Sequence, residues 1–260
     1  MSGSVLPILT LWKREIVRFI RQRSRVFSAL STPLVFWLLL GSGFRASFQP
    51  PGAPEGTTYL EYLYPGIIVL VLLFTAIFAT ISVIEDRRAG FLQGVLVAPV
   101  SRASIVMGQA LGGSTLALLQ GILFLLLAPV AGISLSLPAI VSVIAVMTLV
   151  AFALTSVGLT IAWRMQSIQG FHAIMNLILM PIWFLSGAFF PATGLPGWLA
   201  WFMRLNPLTY GMAALRNCFY WENPVIVGQL PSLLPSLIVT ALFAGGSFLL
   251  ATVTAQRKTE

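Results

Sequence analysis

The sequence predicts an all-α integral membrane protein. It reads as six transmembrane helices, an N-terminal amphipathic interfacial helix, a short cytoplasmic helix, and short external or re-entrant helices before the last span. Three observations predict this. Apolar residues fill 58% of 260 positions and charged residues only 8%, against about 25% charged in an ordinary soluble domain. Lipid is the natural solvent for such a surface. Charge is also absent from long intervals: Arg25 to Arg45, Glu61 to Glu85, Arg102 to Arg164, Met165 to Met203, and Asn223 to Gln256. A spanning helix takes about 20 apolar residues; the third interval holds two helices and the others one each. Finally, the cations that remain collect on one side of these spans.

Residues 5–24 form the interfacial helix. Val5, Leu9, Trp12, Ile16 and Phe19 recur at helical spacing, while Lys13, Arg14, Arg18, Arg21 and Arg25 gather on other faces. Each cation near an anionic lipid surface contributes roughly 1 kcal/mol, and the same charges also orient the chain. The spans fall at about 26–44, 62–84, 104–130, 138–162, 169–187 and 230–254. The first is expected to be retained rather than cleaved, because the charged segment before it is too long for a signal n-region. Tyr59, Tyr62 and Tyr64 mark the outer edge of the second span. Pro129 to Pro138, with its Gly and Ser, divides the long neutral stretch.

Two connections exceed a turn. Residues 85–103 form a cytoplasmic loop with a short apolar helix. Residues 188–229 form an external region in which Pro196 suits a first helical position. Trp198, Leu199, Trp201 and Phe202 suggest a helix at, or dipping into, the outer leaflet. With the N-terminus inside, the cytoplasmic segments hold Lys13, Arg14, Arg18, Arg21, Arg23, Arg25, Arg87, Arg88, Arg102, Arg164, Arg257 and Lys258. Only Arg45, Arg204 and Arg216 lie outside. That asymmetry places both termini in the cytoplasm by the positive-inside rule. The net charge of +8 needs no nucleic acid to explain it.

Catalytic signatures are missing from the sequence. It holds no Gly-x-x-x-x-Gly-Lys-Ser/Thr phosphate loop, no paired metal-ligating His and no Cys pair, Cys218 being alone. His172 has no acidic or nucleophilic partner nearby and reads as structural. The spans carry no ionisable Asp, Glu, Lys or Arg, which disfavours coupling to an ion gradient. Gly108 and Gly112 permit close helix packing, within one subunit or between two. Asn176, midway along the fifth span, reads either as an interhelical hydrogen-bonding group or as a point on a substrate path, where Phe189 and Phe190 are further candidates.

Two segments resemble the type-2 ABC transporter permease family. Glu85 to Gly108, EDRRAGFLQGVLVAPVSRASIVMG, is similar to that family's segment after the second span. Phe184 to Arg216, with FLSGAFFP, LP-x-W-L, LNPLTY and a following Arg, is similar to its external region. Phe91 and Gln93 stand where Thr and Glu are frequent, and Gln109 where Lys often follows the Gly. The resemblance implies one transmembrane domain over 1–260, in the cytoplasmic (inner) membrane, of an exporter for a hydrophobic or amphipathic substrate such as a drug, antibiotic or lipid-like molecule. It implies a separate ATPase subunit holding ATP and magnesium, no cofactor on this chain, and a second copy or paralogue of the permease. The alternatives are export of a lipid-linked polysaccharide, or a membrane-embedded enzyme of lipid metabolism. The 85–103 loop would carry the coupling helix: Phe91, Leu92, Val95 and Leu96 as an apolar ridge entering the ATPase, with Glu85, Arg87, Arg88, Gly90, Pro99 and Arg102 around it.

Overall fold

The computed structural model describes residues 2–21, 23–44, 58–189, 191, 194–221 and 230–257, and the side chains of all of these except residues 2–4 and 23–30. Arg45, Phe190 and Lys258, like the side chains of Arg23 and Arg25, lie outside the described residues. Regular structure among the described residues is helical. The order is α1 (Ser2–Arg21), α2 (Arg23–Gly43), α3 (Tyr59–Ala79), α4 (Ile81–Arg88), α5 (Phe91–Val97), α6 (Arg102–Leu125), a 3-10 turn (Ala128–Ala131), α7 (Leu137–Ala162), α8 (Ile168–Phe184), α9 (Gly197–Leu205), α10 (Pro207–Phe219) and α11 (Leu233–Arg257).

Several helices start where a short polar side chain takes up an orphan amide. Thr58 Oγ1 accepts from the Glu61 amide at 3.2 Å, Ser101 Oγ from Ser104 at 3.1 Å, Ser167 Oγ from Gly170 at 3.2 Å, and Asn206 Oδ1 from Leu208 at 3.0 Å. α3 is the centre of the bundle. Every residue from Tyr62 to Leu73 is buried, as expected of a helix apolar all round, and α2, α6, α7, α8 and α10 pack about it. α11 packs on α7 and exposes Leu234, Ile238, Leu242, Leu249 and Leu250, a face that suits lipid.

Among the described residues, four helices are long and apolar enough to cross a membrane: Tyr59–Arg88, Arg102–Leu125, Leu137–Ala162 and Leu233–Arg257. The first of these joins α3 to α4 across Thr80, so the expected boundary at residue 84 falls inside α4. The apolar stretches at Ser31–Gly43 and Ile168–Phe184 are shorter. The third span stops at Leu125 rather than near residue 130, because Pro129 has no amide to extend the helix.

The external region is two helices of opposite character. α9 leaves Trp198, Trp201, Phe202 and Leu205 exposed, whereas α10 is buried against α3, α7 and α11. Pro196 caps α9 from the position before it rather than opening it.

Candidate coupling site

The cation-rich end of the bundle centres on Glu85, Asp86, Arg87 and Arg88, in the last turn of α4. Ala89 closes that helix, and Gly90 turns the chain with φ of 75°, a left-handed conformation that costs glycine nothing. α5 then runs for two turns. It ends at Ala98, extended at ψ 149° as the residue before Pro99 must be. Arg102 Nη1 donates to the Leu96 carbonyl at 3.1 Å, taking up an acceptor left free at the end of α5.

Two groups of contacts grip this corner from different sides. On one side α1 lies against the first half of α6. Gly108 and Gly112 leave the space: a Cβ at Gly108 would sit 2.9 Å from Leu11 Cβ, and one at Gly112 would sit 2.7 Å from Glu15 Cβ. The glycine pair therefore serves packing within the subunit. Trp12 Nε1 donates to Thr115 Oγ1 at 3.0 Å.

From α1, Arg14 makes a two-pronged pair with Asp86, both N–O distances 2.6 Å. Arg18 bonds Asp86 at 2.9 Å and also pairs with Glu85. The Arg14 guanidinium stands 3.9 Å from the centroid of the Phe91 ring. Glu15 is buried beneath this network. Burial and the neighbouring Asp86 charge push its carboxyl above the usual range, opposed by a hydrogen bond from Ser82 and by Arg18 and Arg14.

On the other side, Arg87 reaches the turn between α7 and α8. Its Nη1 donates to the Met165 carbonyl at 2.7 Å and its Nη2 to Trp163 at 2.9 Å, with the Trp163 ring 5.7 Å away. Arg88 donates twice to the Gln166 carbonyl, at 3.1 and 2.9 Å.

These contacts add detail that the spacing of the residues could not supply. Arg14 and Arg18 pair with carboxylates of α4, while Lys13 and Arg21 are exposed. Arg87 and Arg88 hold carbonyls of this chain, with Arg88 still exposed. The apolar ridge is also split. Leu92 is 2% exposed, and Val95 and Leu96 pack half-buried on the core. Phe91, Gln93, Gly94, Val97, Ala98 and Pro99 form the exposed side. A seven-residue helix with three inward apolar side chains is anchored by them, and its opposite face is what a partner can meet. Asp86 was missed in the sequence. Its signal was a carboxylate pair in a cation-rich segment, facing two Arg four residues apart on one helix.

The opposite end holds a buried cation that the sequence reading counted among the outside charges of the external region. Arg216 on α10 is 1% exposed. Its Nη1 donates to Tyr62 Oη at 3.0 Å and its Nη2 to the Tyr62 carbonyl at 3.3 Å, and its guanidinium carbon lies 4.1 Å from the ring centroid. No carboxylate forms an ion pair with it among the described residues. Tyr59 Oη donates to the Phe189 carbonyl at 2.9 Å, which places Phe189 in an aromatic cluster with Tyr59, Trp183 and Phe184. Asn176 and His172 sit on the exposed side of α8, with the His172 ring 4.9 Å from that of Phe78.

A helical bundle with apolar helices of crossing length and an anchored short helix at its charged end defines a multi-pass membrane protein. The chain belongs to the ABC-2 type transporter family, whose model matches residues 7–220, from α1 to the end of α10. It is therefore an ABC-type transport permease. It is similar to the ycf38 protein of Cyanophora paradoxa, whose name describes a transport permease, with 29% identity over 217 residues, 82% of this chain and 73% of that one. It is similar to Nodulation protein J of Rhizobium leguminosarum bv. trifolii, with 25% identity over 252 residues, 96% and 95% of the two chains. A third likeness is to ABC transporter G family member 20 of Dictyostelium discoideum, 29% over 162 residues, 61% of this chain and 22% of that protein.

Proposed function

We propose that this chain is the permease subunit of an ATP-driven exporter that moves a hydrophobic or amphipathic molecule out across the cytoplasmic membrane. ATP and magnesium are held by a separate ATPase subunit. The observation that carries this reading is α5: a short helix fixed by Leu92, Val95 and Leu96, ion-paired at its entry, with Phe91, Gly94 and Val97 turned outward at the cation-rich end. That end faces the cytoplasm under the positive-inside rule, with α2, the α3–α4 helix, α6, α7, α8 and α11 as the six spans. Family membership and the absence of a phosphate loop from the sequence support a partner that supplies the ATPase. α8 exposes Ala173, Ile174, Asn176, Leu177 and Ile178, a face suited to a second copy or paralogue across a shared pathway.

The test is reconstitution. The purified chain alone is expected to turn over no ATP, and activity is expected with its ATPase partner. Val97→Asp places a carboxylate in an apolar contact, which costs several kcal/mol and weakens docking by about a hundredfold. Leu92→Asp instead destroys the anchor and damages the fold. A Val97→Asp permease that keeps its ATPase and transports normally overturns the docking assignment.

A further inference from the structure

We propose that Arg87 and Arg88 form a clamp that makes the inner end of α8 move with the coupling helix. The clamp adds a route of transmission to the docking reading above, on which its role in transport rests. α7 ends at Ala162 and α8 begins at Ile168, so only a short turn joins them. Helix ends leave carbonyls without intrahelical partners. Arg87 takes those of Trp163 and Met165 at 2.9 and 2.7 Å, and Arg88 takes that of Gln166 through two donors. Both cations belong to α4, two and three residues before the Gly90 turn into α5. A displacement of α5 is thus delivered to the α7–α8 turn through two guanidinium groups.

α8 is built to respond. Its buried side is one row at a spacing of four, Phe171, Met175, Leu179 and Trp183, and its helical neighbours are α3 and α4. The far end is pinned. Trp183 Nε1 donates to the Gly66 carbonyl at 2.8 Å, and Asn206 Nδ2 donates to that of Ile182 at 2.7 Å. A helix fixed at one end, attached along one row and gripped at the other end is a lever pivoting near Trp183. On the other side of the corner, Arg14 and Arg18 tie Glu85 and Asp86 to α1, which is seated on α6, so α1 is joined to the same corner.

The experiment places spin labels at Ala89→Cys, beside the Gly90 turn and off the docking face, and at Gln169→Cys, both exposed positions, in a Cys218→Ser background in nanodiscs. The distance is read on the permease alone and in the permease–ATPase complex, with and without ATP. One narrow distribution that persists in every state is expected. In Arg87→Gln/Arg88→Gln it broadens, with transport about tenfold lower. The Arg87→Lys/Arg88→Lys variant, which keeps charge and a donor at each site, restores part of the narrow population. Reading the permease alone tests the clamp whether or not an ATPase docks at α5, and ATPase capture in the same preparations tests docking separately. A double Gln variant with the wild-type distribution overturns the clamp. So does a wild-type distance that changes on ATP binding.

Discussion

Asp86 is the residue on which the cation-rich end converges. It is 4% exposed and accepts three guanidinium hydrogen bonds from α1. Asp86→Ala removes the two-pronged partner of Arg14 and leaves Arg18 with Glu85 and Arg14 with the more distant Glu15, both Arg side chains being about a quarter to a third exposed and so able to recover some hydration. The expected loss is about 1–3 kcal/mol, read as a lower unfolding temperature in nanodiscs, and Arg14→Lys recovers little because an ammonium cannot reproduce the two-pronged geometry. Glu15 makes a pH prediction with a definite sign. Its folded-state value is raised, so the folded chain holds the proton more tightly than the unfolded chain does. The stabilisation this represents is present at low pH and is lost as pH rises through the folded-state value. Glu15→Gln, a permanent mimic of the neutral form, is expected to stabilise the protein at pH values above that point and to leave it unchanged below. Equal effects at every pH would show that the carboxyl does not titrate in the fold.

Among the elements, α1 shows what a linear sequence hides. Its amphipathic period and its cations were legible from Val5, Trp12 and Arg14 alone. Which face met what was not, because the receiving surface is a notch at Gly108 and Gly112, about a hundred residues away. Gly112→Val puts a branched side chain where Glu15 Cβ already stands and is expected to lift α1 from α6. Trypsin then cuts at Arg14 and Arg18 many times faster than in the parent, while the oligomeric state is unchanged because the notch is filled within the subunit. A change of oligomer without exposure of α1 would reassign the glycines to a dimer contact. α5 carries a similar lesson. Its existence followed from apolar residues between Gly90 and Pro99, but a period of 3.6 cannot say whether an apolar row faces its own bundle or a partner. The burial of Leu92 decides that.

Across the whole molecule, charge-free intervals located α3, α6, α7 and α11 well, since nothing but length and hydropathy was needed. The limits were harder where a proline or a tight turn intervenes, as at Thr80 and Pro129. The external region could be recognised as apolar, but not that α10 packs inside the bundle while α9 stays at its surface. Six spans with both termini inside predict a labelling pattern: cysteines at Ser2 and Thr259 react from the cytoplasm, and those at Ala53 and Thr193 from the outside. Termini on opposite faces would end the topology. The Arg216–Tyr62 contact carries a consequence for biogenesis. The two residues are 154 positions apart, so α3 leaves the ribosome long before the cation it will shelter. On the proposed topology Arg216 belongs to the external region, and a guanidinium moved into the hydrocarbon layer without the Tyr62 contacts is expensive. The same topology predicts that translocation of the external region precedes the packing of α10 against α3, a last step made from outside. In nascent chains carrying Tyr62→Leu, that step is expected to stall with Arg216 open to external protease.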